Sequence, residues 1–596
     1  MTDMESNKEV DVFKDMQTKF KSIQKLLDDD KKFSIQSEPY KMKYEAIEIL
    51  QTMERDIVDH LTTNTSTEEG ETSLAFIQLQ LGLLYVDTEQ LKAGEVSCTK
   101  CLQVLKDKTL DPSAVSIVIS ALNQLGLIWS HWNEPMQAKT FLERAEKIYY
   151  DFKNMDGVCK FPVHLPMIGF KVTKNKPCPQ ETFESIHTLT LYFLAQVYKS
   201  LEDNHKAAMY CHLTLRRQLG GDTIAEDLDY IDWALNAATL SQYFMENDSI
   251  PLAKHHLAAA SYVLQKYEDI LKVQSLNDGG SEEMEAKWEN FKHRSADVAR
   301  CWAKYGILLM CISKQRLLDD GGTKQGNDGL DNENPPMPNL TDLKFDILEK
   351  DIEPIASRIT DKYLLDFEDA RLVFLNVQKW LDQAKSYYTL EDHASDHIAI
   401  VQDVSQAYMY LAFFEEDEDR QAKMHKKRIN ILEDVIKEIS PRYYRSACRQ
   451  IWIELGTTYS DLLEIKLDRS RDTKRTPQAV AKINHLIKSS IKNFQSFIDS
   501  LEIGTSNSGT ELPDDVLHTA LMAHFHIGRL YNSIISTDKA VLIENTQNSL
   551  NAYKFVIDYC EKHSNARELI KCELSFCKEI VSLLPLKIRR IQEKSW

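Results

Sequence analysis

Apolar residues along this chain recur three and four positions apart, the spacing that places them on one face of a helix. In several places two such stripes form a pair with a fixed internal pattern. A Leu-Gly-x-x-aromatic step is followed nine residues after the aromatic by Ala or Gly, and then by further spaced apolar positions. The pattern is clearest at Leu125, Gly126, Trp129, Ala138, Leu142 and Ala145. The same frame fits Leu81, Gly82, Tyr85, Gly94, Cys98 and Cys101, and a looser one fits Leu194, Ala195, Tyr198, Ala207 and Cys211. Setting Leu240 at the Leu position brings Ser241, Phe244, Ala253, Leu257 and Ala260 to the same offsets.

This is the spacing of tetratricopeptide hairpins. A small residue in each helix lets the two approach closely while the aromatic fills the gap beside them. A single hairpin cannot bury its apolar faces alone, so hairpins stack into a solenoid whose use is a concave binding surface. Residues 12–60 carry Phe20, Ile23, Leu26 and Leu27, then Tyr44, Ile47, Leu50 and Met53, and are expected to form a helical pair capping the array. Residues 63–72 read as a flexible acidic loop, 152–178 as a Pro- and Gly-containing insertion, and 273–285 as a mobile loop. A strong helix is expected over 283–318. The Gly-, Pro- and Asn-rich stretch 319–341 marks a boundary between two halves, since it cannot bury enough apolar area to offset its chain entropy. Beyond it, Trp452, Leu455, Gly456 and Tyr459 repeat the first-helix spacing, Ile527, Gly528 and Tyr531 echo it, and 479–501 reads as one helix striped by Ile483, Ile487, Ile491, Phe494 and Phe497. The expected division is a cap and acidic loop (1–73), tetratricopeptide-like repeats (74–272), loop, linking helix and low-complexity segment (273–341), and a helical-repeat C-terminal part (342–596).

The formal charge of −19 over 596 residues argues against binding nucleic acid or anionic lipid, and suits a basic partner. No stretch has the run of uncharged apolar residues that a spanning helix needs, so no membrane is expected. The N-terminal run is acidic and lacks an apolar core, unlike a signal or transit peptide. Eleven scattered cysteines point to a reducing cytoplasmic setting.

Few residues invite a catalytic or metal reading. Cys98 and Cys101 form a C-x-x-C pair, but a zinc site needs two more ligands at finger spacing, and both cysteines fall on packing positions of a hairpin. His255 and His256, with His205 and His212, lie on different helices, and adjacent helical histidines point about 100° apart. A surface or groove role is expected for them. A calcium loop over 319–333 fails, because with Gly329 at the turn the first and twelfth ligand positions are Lys324 and Pro335. The basic run His425–Arg428 reads as a solvated face, or as a partner for the acidic residues from Glu415 to Asp419. No phosphate-loop, dinucleotide-binding or hydrolase-elbow motif occurs, and no enzyme activity, cofactor or metal is expected.

Longer segments carry a more specific resemblance: YFLAQVY (192–198), WALNAATLSQ (233–242), RCW (300–302), DHIAIVQD (396–403), LAFFE (411–415), KMHKKR (423–428), YKFVIDYCEKH (553–563) and VSLLP (581–585). Together they resemble the kinesin-binding protein family (KIF-binding protein) from about residue 83 onward. The resemblance implies a cytoplasmic, cytoskeleton-associated and non-enzymatic protein. Its fold would be all-α, a right-handed α-solenoid of tetratricopeptide-like hairpins in two subdomains joined by a linker helix. It implies binding to the motor domains of a subset of kinesins, a block on their microtubule attachment, and an influence on axon growth. A monomer is expected when unbound.

In a tetratricopeptide hairpin the first helix lines the concave face. With Leu194 at consensus position seven, the inward positions are Tyr192, Gln196 and Lys199, and the family's motor-contacting motif matches Phe193 and Gln196. The equivalent positions of the next unit include Ala238, Gln242 and Met245, and those of the second repeat Asn123, Ser130 and His131. The alternative is a general tetratricopeptide adaptor or co-chaperone holding a peptide. A carboxylate clamp wants several Lys, Arg and Asn in the groove, and the inward positions hold one Lys and no Arg.

Overall fold

Long amphipathic stripes with few Gly and Pro between them dictate helices, and the computed structural model contains twenty-one α-helices and no strand among its described residues. Those residues are 2–32, 40–63, 68–155, 179–220, 228–278, 281–320, 343–469, 476–502 and 512–593. Contacts divide the chain into two compact units, Met1–Asp229 with Pro338–Leu348, and Tyr230–Met337 with Glu349–Trp596.

In the first unit α1 (Thr2–Lys32) packs on α2 (Lys41–Thr63), and α2 packs on α3 (Glu68–Asp87). Phe20, Ile23, Leu50, Ile57 and Leu81 join in one cluster, the expected cap. Helix α3 starts at Glu68, so the loop expected to reach residue 72 is shorter, and Thr72 and Ser73 are buried. The physical reason is that the acidic Glu69, in the first turn, favours the positive end of the helix dipole. Three hairpins follow: α3 with α4 (Leu91–Val104), α5 (Val115–His131) with α6 (Pro135–Lys153), and α7 (Pro179–Ser200) with α8 (Asn204–Gln218). Of the expected insertion 152–178, Phe152 and Lys153 close α6, and 156–178 lie outside the described residues.

The second unit opens with α9 (Tyr230–Glu246) and α10 (Ile250–Asp278), the fourth hairpin, followed by α11 (Glu282–Asp320), the expected long helix. The loop expected over 273–285 is mostly helical, with only 279 and 280 outside the described residues. The acidic cluster is the start of α11 rather than a loop: Glu282, Glu283 and Glu285 occupy its first turn, and the Ser281 Oγ accepts from the Met284 N–H at 3.3 Å as a cap. Helices α12 (Glu349–Ala356) and α13 (Phe367–Tyr387) follow; most of the low-complexity segment, 321–341, is outside the described residues. Next come the pairs α14 (Ala394–Phe414) with α15 (Glu418–Glu438), α16 (Arg445–Arg469) with α17 (Pro477–Glu502), and α18 (Asp514–Ser533) with α19 (Lys539–Lys562). The chain then runs into α20 (Ser564–Leu569) and α21 (Lys571–Glu593).

The turns inside the four predicted hairpins are copies of one another. Glu89, Asn133, Glu202 and Asp248 each adopt positive φ, near 60°. The next residue's N–H reaches back to the carbonyl of the consensus aromatic: Gln90 to Tyr85, Glu134 to Trp129, Asp203 to Tyr198 and Ser249 to Phe244, at 2.8–3.0 Å. Together with the bond from each positive-φ residue to the carbonyl three before it, this is a Schellman cap, which satisfies the last carbonyls of the first helix.

Close approach at glycine closes the hairpins in both units. A Cβ at Gly126 would stand 2.6 Å from Leu142, and one at Gly82 2.5 Å from Cys98 Sγ. In the second unit Gly456 faces the Phe494 ring and Gly528 the Tyr553 ring, at 2.8–3.0 Å. Ser490 and Ser549, each four residues before the aromatic, donate to the carbonyls of those two glycines at 2.7 and 2.6 Å. The less regular second half therefore uses the same closing device, with the α17 stripe from Ile483 to Phe497 buried against α16 and α18.

Candidate partner-binding surface

Helix α7 carries two opposed faces. Phe183, His187, Leu191, Leu194, Val197 and Tyr198 are buried, whereas Tyr192, Gln196 and Lys199 are exposed on one stripe. Leu189, three residues before Tyr192, is also exposed at 40% and extends that stripe. The 189, 192, 196, 199 spacing is the signal in the sequence that marks Leu189 as part of this stripe. Phe193 is different: it is half-buried and packs against the cluster that includes Ala138, Leu142 and Tyr210.

The stripe is held from behind by polar anchors at both ends of α7. Near the start, Glu184 accepts from Tyr149 Oη at 2.6 Å and pairs with Lys153 at 2.6 Å and Arg217 at 2.8 Å. Burial alone would raise the Glu184 carboxyl, but hydrogen bonds from Lys153, Tyr149 and Arg217 hold it below its ordinary value. Tyr149, pushed up to about 12 by burial and by Glu184, stacks on the His187 ring at 3.5 Å. Near the end, Tyr198 donates to Glu143 at 2.5 Å and stacks on Tyr210, which donates to Glu146 at 2.9 Å. The exposed side chains thus project from a helix tied to α6 and α8, which limits the ordering entropy that binding must overcome.

The remaining expected contact residues are distributed unevenly. Ser130 and His131 are exposed at the C-terminal end of α5, which packs on α7. Asn123 is buried, and its Nδ2 donates to the Ile186 carbonyl at 3.2 Å, so it joins α5 to α7 rather than facing a partner. In the second unit Gln242 is half-buried, 3.9 Å from Cys301 Sγ, and Met245 is 3% exposed inside the core. Their helical period is as expected; packing of α9 on α10 and α11 buries Met245 and leaves Gln242 partly exposed.

Two other expectations need correction. His212, His255 and His256 are buried rather than lining a surface or groove: His212 stacks on Phe345, and His256 Nδ1 lies 2.8 Å from the Leu252 carbonyl. The run His425–Arg428 is not one solvated face either. Lys426 and Lys427 are exposed, but Arg428 is 2% exposed and meets Ser405, His425, Glu454 and Asp461. Glu415 pairs instead with Arg420. The Cys98 and Cys101 thiols are buried, and burial pushes Cys98 up to about 12 and raises Cys101 as well, the opposite of a reactive thiolate. Among the described residues no group of His, Cys, Asp and Glu could hold a metal ion, and no helix is long and apolar enough to cross a membrane.

Likeness along the chain decides the family. The profile of the family described as KIF-1 binding protein C terminal matches residues 231–591. The KIF-binding protein of Gallus gallus is 36% identical over 598 residues, covering 97% of each chain. The chain belongs to the KIF-binding protein family. The Drosophila melanogaster KIF-binding protein is 32% identical over 600 residues, covering 98% of each chain. A solved structure of kinesin binding protein (KBP) matches at a TM-score of 0.62 and 32% identity, over 96% of this chain and 98% of that one. The all-α, hairpin-built fold expected from the spacing is therefore also the fold of the family.

Proposed function

We propose that this protein binds the motor domains of a subset of kinesins and blocks their attachment to microtubules, acting as a monomer in the cytoplasm, in association with the cytoskeleton. It works by binding rather than by catalysis, and its effect falls on microtubule-based transport and axon growth. The observation that carries the reading is end-to-end similarity to proteins named for binding kinesins. The exposed α7 stripe of Tyr192, Gln196 and Lys199 supplies the first-unit contact surface, with Leu189 extending it and Ser130 and His131 beside it on α5. Phe193 acts by seating that stripe on the core. Gln242 is a separate contact of the second unit, and residues 74–272 and 342–596 form the two functional parts.

Charge supports the mechanism. A motor that walks on strongly acidic tubulin must present an attractive, basic face, and a chain of net charge −19 can compete for it. Biolayer interferometry of the full chain against a panel of kinesin motor domains tests the reading. Some motors are expected to bind, and Tyr192→Ala with Gln196→Ala to weaken those at least tenfold with an unchanged melting curve. If no motor binds, the function is wrong; if the double variant binds as tightly as the parent, the surface is wrong.

A further inference from the structure

Stacked hairpins ordinarily pack their second helices side by side, which leaves no gap between repeats. In the second unit this regularity is interrupted. Helix α12 packs on α10, while α13 packs on α11, so α12 lies between successive hairpins. It has eight residues and ends at Ala356, too short to cover the length of α10. Beyond its end a cavity of about 470 Å³ lies between α10 and α13, within the size range of pockets that enclose a ligand or an anchoring side chain.

The chemistry of the walls is specific. The floor is formed on α11 by Ala299 and Trp302, and the Trp302 ring stacks on Trp380 at 5.0 Å with 16° between planes. Trp302 Nε1 is satisfied by Ser261 Oγ at 2.8 Å, so the floor presents an apolar surface with no unmet donor at that indole. Tyr387 stands on the α13 side. At the rim, Lys292 on α11 and Arg358 in the turn after α12 are exposed and make no ion pair among the described residues. The lining carboxylate Glu268 is already engaged by Lys272 at 2.7 Å. Two uncommitted cations flanking an aromatic cavity stand out in a chain of net charge −19.

We propose that this cavity is a docking site for a short acidic segment of a partner protein. An aromatic side chain of that segment enters the space against Trp302 and Trp380, and carboxylates before and after it engage Lys292 and Arg358. The aromatic walls reward a large planar side chain, and a guanidinium favours a carboxylate that it can meet through two donors. Cations on two separate segments, α11 and the turn after α12, select a chain carrying negative charge on both sides of its anchor. The site lies wholly within the second unit and does not depend on the reading of α7.

Titration calorimetry with the full chain tests this. The probe is a capped five-residue peptide with one tryptophan between pairs of glutamates. The controls carry lysines in place of the glutamates, or alanine in place of the tryptophan. The acidic tryptophan peptide is expected to bind, more weakly as salt rises, and both controls to fail. Lys292→Glu with Arg358→Glu should lower its affinity at least tenfold with an unchanged melting curve, since both side chains are exposed. Absence of binding at millimolar peptide, equal binding of either control, or undiminished binding to the double variant would each overturn the proposal.

Discussion

Replacing Gly126 by Ala tests whether hairpin closure rests on helix contact rather than on helix formation alone. A Cβ there would lie 2.6 Å from both Cγ and Cδ2 of Leu142 and 3.1 Å from its Cδ1. Cγ is the branch point of a side chain that is fully buried, so relief requires α5 and α6 to separate or Leu142 to turn into a filled core. Overpacking of this kind costs about 1–3 kcal/mol, and the contact at a branch point places it toward the upper end. The better helix propensity of Ala offsets about 1 kcal/mol of that, leaving a net loss of about 2 kcal/mol, or about a thirtyfold rise in local opening. Hydrogen exchange of the full chain, followed by mass spectrometry of peptides from α5 and α6, reads this directly. Leu142→Ala alone costs about 2–5 kcal/mol through its cavity. In the double variant the new methyl occupies part of that space, so the combined loss should be less than the sum by at least about 0.5 kcal/mol. Exchange in Gly126→Ala no faster than in the parent, or strictly additive losses, would refute the close-contact account.

Three further outcomes follow from buried polar groups. Burial, then the charges of Arg217 and Lys153 against the opposing pull of Glu184, holds the His187 imidazole down to about 3, far below the unfolded value near 6.5. Its stabilising effect is present above pH 6.5 and is lost as pH falls toward 3, because only the unfolded chain takes up the proton. The melting temperature should therefore drop between pH 7.5 and 5.5, and drop less in His187→Phe; His425 and His524, each held near 4 with burial the leading cause, act with the same sign. Arg428→Met should destabilise the second unit by about 3–5 kcal/mol, since it strands the carboxylates of Glu454 and Asp461. Exposed Lys427→Ala should stay within about 0.5 kcal/mol in the same denaturation assay. Brief iodoacetamide treatment should label exposed Cys572 and spare buried Cys98 and Cys101, as read by peptide mass spectrometry.

The helical period and the small residues at Gly82, Gly126, Gly456 and Gly528 made the hairpins legible, because both are local properties of the chain. The turns were less visible: two of the four positive-φ positions hold Glu89 and Glu202, and only Asn133 and Asp248 belong to types that favour that conformation. Acidic clusters misled twice. Glu69, and the run from Glu282 to Glu285, look like loop by composition yet stand in the first turns of helices, where the dipole welcomes them. At the candidate surface, the stripe of Tyr192, Gln196 and Lys199 follows from the period of α7 alone. The burial of Asn123 and Met245 does not, since it depends on which neighbouring helices cover them. Arg428 shows the same limit, with partners on α14, α15 and α16 that only the packed helices bring together.

The most direct test of the central claim is microtubule co-sedimentation of a kinesin motor domain that binds the full chain, titrated with that chain. The account predicts that the motor moves from pellet to supernatant in a saturable manner, and that Tyr192→Ala with Gln196→Ala shifts the curve to at least tenfold higher concentration. A pelleted motor fraction that stays constant at saturating excess of the protein would contradict it.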